Sequence, residues 1–238
     1  MSSKKIKVLD HGYVTLRNVA GPVRRCESEY DADDIDPANA ARFSFDGADK
    51  DKSESEDLKL ADYLLKNMHT TPFEMITIWL EMKMPIFVAR QFVRHRTVSI
   101  NEMSARYTQL PNEFYIPKSY LVGKQSSLNK QGRELGENEK EANDFCSALL
   151  YHSKHAYASY EKALENNIPK ELARCFLPVN IYTKWLWKQD LWNMMHFLSL
   201  RLHSHAQYEA RQYAEAMYTL LREVLPHSMD LFDKYRRK

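Results

Sequence analysis

A chain of 238 residues with 44% hydrophobic and 28% charged side chains has the balance of a globular protein, not a disordered one. At that length it can bury roughly 70–75% of its unfolded surface. Its 34 basic and 32 acidic residues leave a net charge of +2, which excludes a polyelectrolyte field aimed at nucleic acid or a membrane.

Residues 6–20 are rich in β-branched side chains and are interrupted by His11-Gly12, which predicts a short strand pair. A poorly periodic stretch follows and ends in the acidic run 44–57, read as a solvated loop. Leu58, Ala61, Leu64, Leu65 and Met68 recur at helical spacing and predict a helix over about 55–68. The loop His69-Thr70-Thr71-Pro72 stops it, since Pro72 disfavours the α region for Thr71. Ile76, Ile78, Leu80 and Met82 then alternate with Thr77, Trp79, Glu81 and Lys83, the period of a half-buried strand over 75–83.

Pro85 opens a short helix over 85–95, with Ile86, Val88, Ala89, Phe92 and Val93 on its apolar arc and Arg90, Gln91 and Arg94 opposite. Residues 103–116 read as strand or extended chain, and 121–138 as an exposed polar loop. The remainder reads as helical over 138–166, 169–177 and a long pattern from 190 to 225. Strands in the first half and helices in the second predict an α+β class: one domain over 1–238, with a central, mostly antiparallel sheet flanked by helices.

Several motifs are absent. The six glycines (Gly12, Gly21, Gly47, Gly123, Gly132 and Gly136) form neither G-x-G-x-x-G nor G-x-x-x-x-G-K-[ST], which excludes a Rossmann fingerprint and a P-loop. Cys26, Cys146 and Cys175 are odd in number and scattered, the pattern of a reducing compartment without a disulfide framework or structural zinc. No apolar signal core and no run approaching 18 apolar residues occurs, so a cytoplasmic chain without a membrane partner is expected.

The densest polar segment runs from Arg94 to Tyr107. Phe92, Val93, Val98 and Ile100 interleave with its charges, so parts of it are expected to be buried. Buried arginine needs planar anionic or carbonyl partners, and few acids lie close in sequence. A phosphate-bearing ligand of Arg94, Arg96 or Arg106 and a solvated basic helix end are the two readings of that composition. Arg201, between leucines, reads either as a snorkelling surface arginine or as a site residue, with His205 one turn on as a core histidine. His203 and His205, at i, i+2 on a helix, would face different ways, and no metal site is expected. Cys175 reads as a buried thiol because sequence shows no activating base. Trp185, Trp187 and Trp192 read as core or interface aromatics more readily than as a stacking platform for single strands.

The run RHRTVSINEMSARY resembles the R-H-R-x-x-S-x-N-x-x-S-x-R-Y hallmark of the flavin-dependent thymidylate synthases, with every specified position filled. His69-Thr70-Thr71-Pro72-Phe73-Glu74 is similar to that family's H-x-[ST]-P-F-E segment. Pro85 to Gln91 looks like its lead-in helix, and Glu171–Tyr182 and Asp190–Tyr213 resemble its later blocks. The likeness covers roughly residues 60–225. It implies a family-specific fold and a homotetramer with FAD bound between subunits. The implied reaction is methylation of dUMP to dTMP, with 5,10-methylenetetrahydrofolate as carbon donor and FAD reduced by NADPH as hydride donor, releasing tetrahydrofolate.

By position, Gln91, Arg94, Glu102, Ser104, Ala105, Arg106 and Arg174 match the family's dUMP contacts, Arg106 and Arg174 at the phosphate and ribose end. Arg201 matches the substrate-binding arginine held to favour ionisation of the uracil N3, a catalytic role for a fixed cation. Ser104 stands where a nucleophile could be imagined, but with no adjacent base it reads as positioning the substrate. His69, Thr71, Arg94, His95, Arg96, Glu102, Asp190, Leu191, Trp192 and His196 match flavin contacts. Met75 stands where the family often has a second histidine, and Trp192 where it often has histidine or arginine.

On a straight helix Trp192 and His196 share a face and Arg201 lies opposite Trp192, so the two faces are expected to serve different active sites or different subunits' parts of one. The readings weighed against this family are a cysteine-dependent thymidylate synthase, a flavin reductase without a methyl acceptor, and a basic-aromatic nucleic-acid binder around 90–107.

Overall fold

The computed structural model describes residues 4–22, 30–45, 52–127, 132–134, 136 and 138–237. The first β-branched stretch folds as β1 (Lys5–Val8) and β2 (Gly12–Ala20), paired antiparallel. Gly12 is required there: a Cβ would collide with the Tyr213 hydroxyl, which donates to the Lys83 carbonyl at 2.7 Å. After α1 (Asp36–Arg42), α2 (Glu54–Lys66) begins with a capping box, Ser53 accepting from the Glu56 N–H while Glu56 reaches back. Glu54, Glu56 and Asp57 are thus the first turn of a helix, where its dipole favours acids, and not part of a loop. A one-turn helix, α3 (Thr71–Glu74), follows with Pro72 in its first turn, so Thr71 is helical despite the proline.

The alternating run becomes β3 (Thr77–Pro85), burying Ile78, Leu80, Met82 and Met84. Next come α4 (Ile86–Phe92), β4 (Ser99–Glu102), α5 (Glu139–Glu165), α6 (Lys170–Ala173) and β5 (Tyr182–Asp190). The chain closes with α7 (Leu191–Arg201), α8 (Tyr208–Val224) and α9 (Pro226–Tyr235).

The five strands form one antiparallel sheet in the order β1-β2-β3-β5-β4. The α+β expectation holds. The confinement of strands to the first half does not, because β5 lies between β3 and β4 and carries both pairings. Its period-two pattern is plain once placed: Thr183, Trp185, Trp187 and Gln189 are buried, while Lys184, Leu186 and Lys188 are exposed. Trp185 and Trp187 are therefore core residues of a strand.

β4 falls inside the arginine-rich run, whereas 103–116 is extended and turning chain, with only Phe114 bridged to Ile181. The long helical pattern is cut at 202–207, where Ala206 N–H bonds His203 O and Arg211 donates to Ser204 O. Within 121–138, Gln125 pairs with Arg133, and Arg133 makes an ion pair with buried Glu209 at 2.8 Å, so that loop is tied to α8. Cys26 and Gly47 lie outside the described residues.

The main core lies between the sheet and α2, α7, α8 and α9. A smaller cluster of Ala105, Leu110, Phe114, Tyr157, Tyr160, Ala173 and Ile181 sits under α5. Phe92, fully buried at the end of α4, meets Trp187 and Phe197 edge-on at 6.1 and 4.9 Å. That anchor brings residues 94–97 out at the surface beside α7.

Candidate active site

Two cavities adjoin the segment from Arg90 to Ala105. The first, of about 440 Å³, lies against the smaller apolar cluster, with Ala105 and Leu110 on its wall. Its walls include Arg90, Glu102, Ser104, Ala105, Arg174, Cys175 and Thr183. β4 delivers Glu102, and β5 orients it: Thr183 Oγ1 donates to Glu102 Oε1 at 2.7 Å. Ser104 Oγ accepts from the Arg106 N–H at 3.3 Å, and no general base among the described residues is hydrogen-bonded to it. Arg174 follows α6 in a short 3₁₀ turn that closes the same wall, its Nε donating to the Glu171 carbonyl at 3.2 Å. Cys175 is exposed on this wall, correcting the expectation of a buried thiol.

The second cavity, of about 650 Å³, is lined by Arg94, His95, Arg96, Thr97, Asn193, His196, Leu200 and Arg201. Arg201 ends α7, where a cation suits the helix dipole. Its Nε donates to His95 Nε2 at 3.1 Å and its Nη2 to the Gln91 carbonyl at 3.1 Å. His95 packs edge-on against Phe197 at 4.7 Å. Burial, then the Arg201 charge and then His196, push the His95 pKa down to about 4, so the ring is neutral at pH 7 and can accept from Arg201. Burial also lowers the pKa of Arg201 from its ordinary value.

The arginines sort sharply. Arg17, Arg42, Arg106, Arg133, Arg211, Arg222 and Arg237 each meet a carboxylate. Arg90 and Arg174 in the first cavity, and Arg94, Arg96 and Arg201 in the second, have no carboxylate partner among the described residues. Guanidinium groups left unpaired and gathered on concave walls are suited to planar anions.

Comparison with known proteins gives the family. The family model described as thymidylate synthase complementing protein matches residues 28–227. The chain is 40% identical over 235 residues to the flavin-dependent thymidylate synthase of Treponema denticola, covering 98% of this chain and 84% of that one. With that of Wolbachia pipientis wMel it shares 42% over 229 residues, 96% of this chain and 76% of the relative. The chain belongs to the flavin-dependent thymidylate synthase family. It is accordingly a flavin-dependent methyltransferase. Its fold is similar to a UMP/dUMP methylase, PolB, from Streptomyces cacaoi, whose crystal structure holds 5-Br dUMP: TM-score 0.83, 27% identity, covering 98% and 99% of the two chains.

The family resemblance named more residues than one chain gathers. Glu102, Ser104, Ala105 and Arg174 share the first cavity; Arg94, His95, Arg96, His196 and Arg201 share the second. Arg106 turns outward beyond Ala105, with Nη2 3.5 Å from Glu171 Oε2. Arg94, Arg96 and Arg106 are exposed in the single chain, and the expected burial applies to Phe92 and not to them. Gln91 lines neither cavity, and its Nε2 donates to Gln207 Oε1.

Asp190 caps α7 by accepting from the Asn193 N–H at 2.8 Å, and Leu191 is fully buried with its N–H bonded to the Ile76 carbonyl. His69 and Thr71 are exposed at the α2–α3 corner and line neither cavity.

Helix α7 is unbroken, yet its two faces divide differently from expectation. Trp192 lies apart, under the Arg236 guanidinium at 4.1 Å, whereas His196 and Arg201 line one cavity. At 100° per residue they are only about 140° apart, and the long arginine side chain spans the difference. His203 and His205 are not on a helix, and their rings meet at 4.8 Å, although no cluster of three metal-ligand side chains forms among the described residues. No helix of the described residues is long and apolar enough to cross a membrane.

Thr183 and the buried Glu209 escaped the sequence reading. Glu209 shares the helical face of Tyr213, Ala216, Met217 and Leu220, and an acid on an apolar arc was the available signal.

Proposed function

We propose that this chain converts dUMP to dTMP, taking the one-carbon unit from 5,10-methylenetetrahydrofolate and reducing equivalents from NADPH through FAD. The observation that carries the proposal is the division of arginines without a carboxylate partner between two cavities that share one segment, the first taking its two ends and the second its middle. In the first, Arg174 and Arg90 would hold a nucleotide phosphate, with Glu102, Ser104 and the Ala105 backbone available to sugar and base. Arg106 would close over the phosphate from the rim.

The second cavity suits FAD by its donor set: Arg94, Arg96 and Arg201 are unpaired, and no acid is on its wall to oppose a diphosphate. When bound and reduced, the flavin supplies the hydride for the methyl group. Arg201, fixed by His95 and the Gln91 carbonyl on the wall of this second cavity, would favour negative charge on the uracil ring if the base reaches from the first cavity toward the flavin. Ser104 positions substrate, since no general base is bonded to it.

Exposed Val93, Tyr107, Leu172, Phe176, Val179 and Leu200 surround the two cavities. Apolar surface of that extent calls for cover, and we assign it to a homotetramer whose neighbouring copies bring the His69–Thr71 corner and the 190–192 turn to the flavin. The free thiols of Cys146 and Cys175 suit a cytoplasmic setting.

The test is a yellow purified protein whose flavin bands shift on adding dUMP and which forms dTMP only when folate, NADPH and dUMP are all supplied. NADPH oxidation indifferent to dUMP would instead identify a reductase.

A further inference from the structure

Asn193 stands on the wall of the second cavity, in the first turn of α7. It is tied twice to the Asp190 side chain that caps the helix. The Asn193 main-chain N–H donates to Asp190 Oδ1 at 2.8 Å, and Asn193 Nδ2 donates to Asp190 Oδ2 at 2.8 Å. With its NH2 turned back onto the cap, the amide is left with its Oδ1, which has no donor among the described residues and is not buried.

The neighbours on that wall are of the opposite kind. The guanidinium groups of Arg94, Arg96 and Arg201 can only donate. His95 Nε2 is taken by Arg201, and Thr97 Oγ1 accepts from Gln189 Nε2 at 3.1 Å, which leaves the hydroxyl hydrogen to be given. Among the described residues, Asn193 carries the one side-chain carbonyl on this wall. A ligand made only of phosphate brings acceptors and nothing to give, so it would leave that oxygen unmet. A flavin dinucleotide carries ring N–H groups beside its diphosphate: the imide of the isoalloxazine and the amine of the adenine.

We propose that Asn193 is a cofactor-binding residue whose Oδ1 accepts a ring N–H of the bound flavin dinucleotide, and that Asp190 is a positioning residue that sets the direction of its amide. This rests on the reading of the second cavity as the flavin site. It gives the cavity a way to recognise a ring system, which arginines gripping phosphate lack, and places it at the opposite end of α7 from Arg201.

The experiment is competition for the flavin site of the full chain, read from the fluorescence of displaced FAD. The competitors are FAD methylated at the imide nitrogen and FAD with purine in place of adenine. Failure of wild type to bind FAD would overturn the flavin reading, and this inference with it. Given binding, one of the two analogues should bind wild type roughly tenfold more weakly than FAD, the equivalent of one hydrogen bond, and which one it is identifies the ring.

In Asn193→Ala, FAD itself should weaken by about the same factor, and its advantage over that analogue should shrink to within about twofold. Asp190→Asn keeps a side chain that caps the helix, but its NH2 can donate to Asn193 Oδ1 and turn the Asn193 NH2 outward. The same loss of discrimination is expected there, with the thermal midpoint little changed. An advantage of FAD that is equal in wild type and Asn193→Ala would show a merely structural role and overturn the proposal while leaving the flavin site standing. Equal affinity of wild type for all three dinucleotides would do the same, and discrimination retained in Asp190→Asn would overturn the role given to Asp190.

Discussion

The first cavity mixes signs: Arg90 and Arg174 face a space that also holds the Glu102 carboxylate, the Ser104 and Thr183 hydroxyls and the Cys175 thiol. The second holds Arg94, Arg96 and Arg201 with two histidines and no acid at all. The mixed wall can satisfy a ligand that is anionic at one end and carries donors at the other, as a nucleotide does. The wall without acids rewards negative charge, and the neutral His95 beside Arg201 spares it one like-charge contact. Both belong to one stretch of chain because β4 crosses between them. The difference is therefore one of surroundings: β5 supplies Thr183 to the first cavity, and α7 supplies Arg201 to the second.

The sharpest way to separate the two is Arg174→Ala. It should raise the dUMP Kd about 100-fold, within the few kcal/mol expected for a desolvated charge contact, while flavin retention changes little. Calorimetry alongside the visible spectrum reads both. Comparable loss of flavin and dUMP would merge the cavities into one site.

Arg201→Lys keeps the charge but cannot span His95 and the Gln91 carbonyl with one planar fork. A kcat reduced by roughly 30- to 100-fold with a smaller change in KM is expected in steady-state assays. Arg96→Ala should reverse the first pattern, releasing FAD on gel filtration with roughly tenfold weaker retention while the apoprotein still binds dUMP.

A smaller effect concerns stability. The His95 pKa falls to about 4 in the fold, against an ordinary 6.5 in the unfolded chain. Between those values the unfolded state binds the proton that the folded state refuses, so this contribution is intact above pH 6.5 and is lost as pH falls toward 4. Discounted for the partly exposed ring, the loss is about 1–2 kcal/mol, and His95→Gln should flatten that part of the difference in denaturation profiles.

Least of all, Cys175→Ala should leave kcat within about twofold, since no base adjoins the thiol. The native Cys175 should still react with a maleimide more slowly when dUMP is present. Equal labelling with and without dUMP would place the nucleotide outside the first cavity.

Residues 77–85 and 139–165 were legible because each buries one face at its own period, two for the strand and 3.6 for the helix. β5 is hard to read from sequence although Lys184, Leu186 and Lys188 alternate with Thr183, Trp185, Trp187 and Gln189, because two tryptophans two apart fit isolated core or interface aromatics as well as a strand face. The break after Arg201 was hidden for a different reason. Apolar positions continue on both sides, and neither glycine nor proline marks the turn that Ser204 and Arg211 hold together.

What the amino-acid order determined was the local grammar: strand and helix periods, the Ser53 and Asp190 caps, and a fourteen-residue basic signature with a recognisable family. What the tertiary structure decided was which arginines escape carboxylates, that Arg94 and Arg174 belong to different cavities, and that buried Glu209 gathers Tyr115, Arg133 and Gln207. Periodicity reports only which side of an element turns from water. The pairing of charges depends on distances across the fold, and those appear only when the sheet and helices have packed.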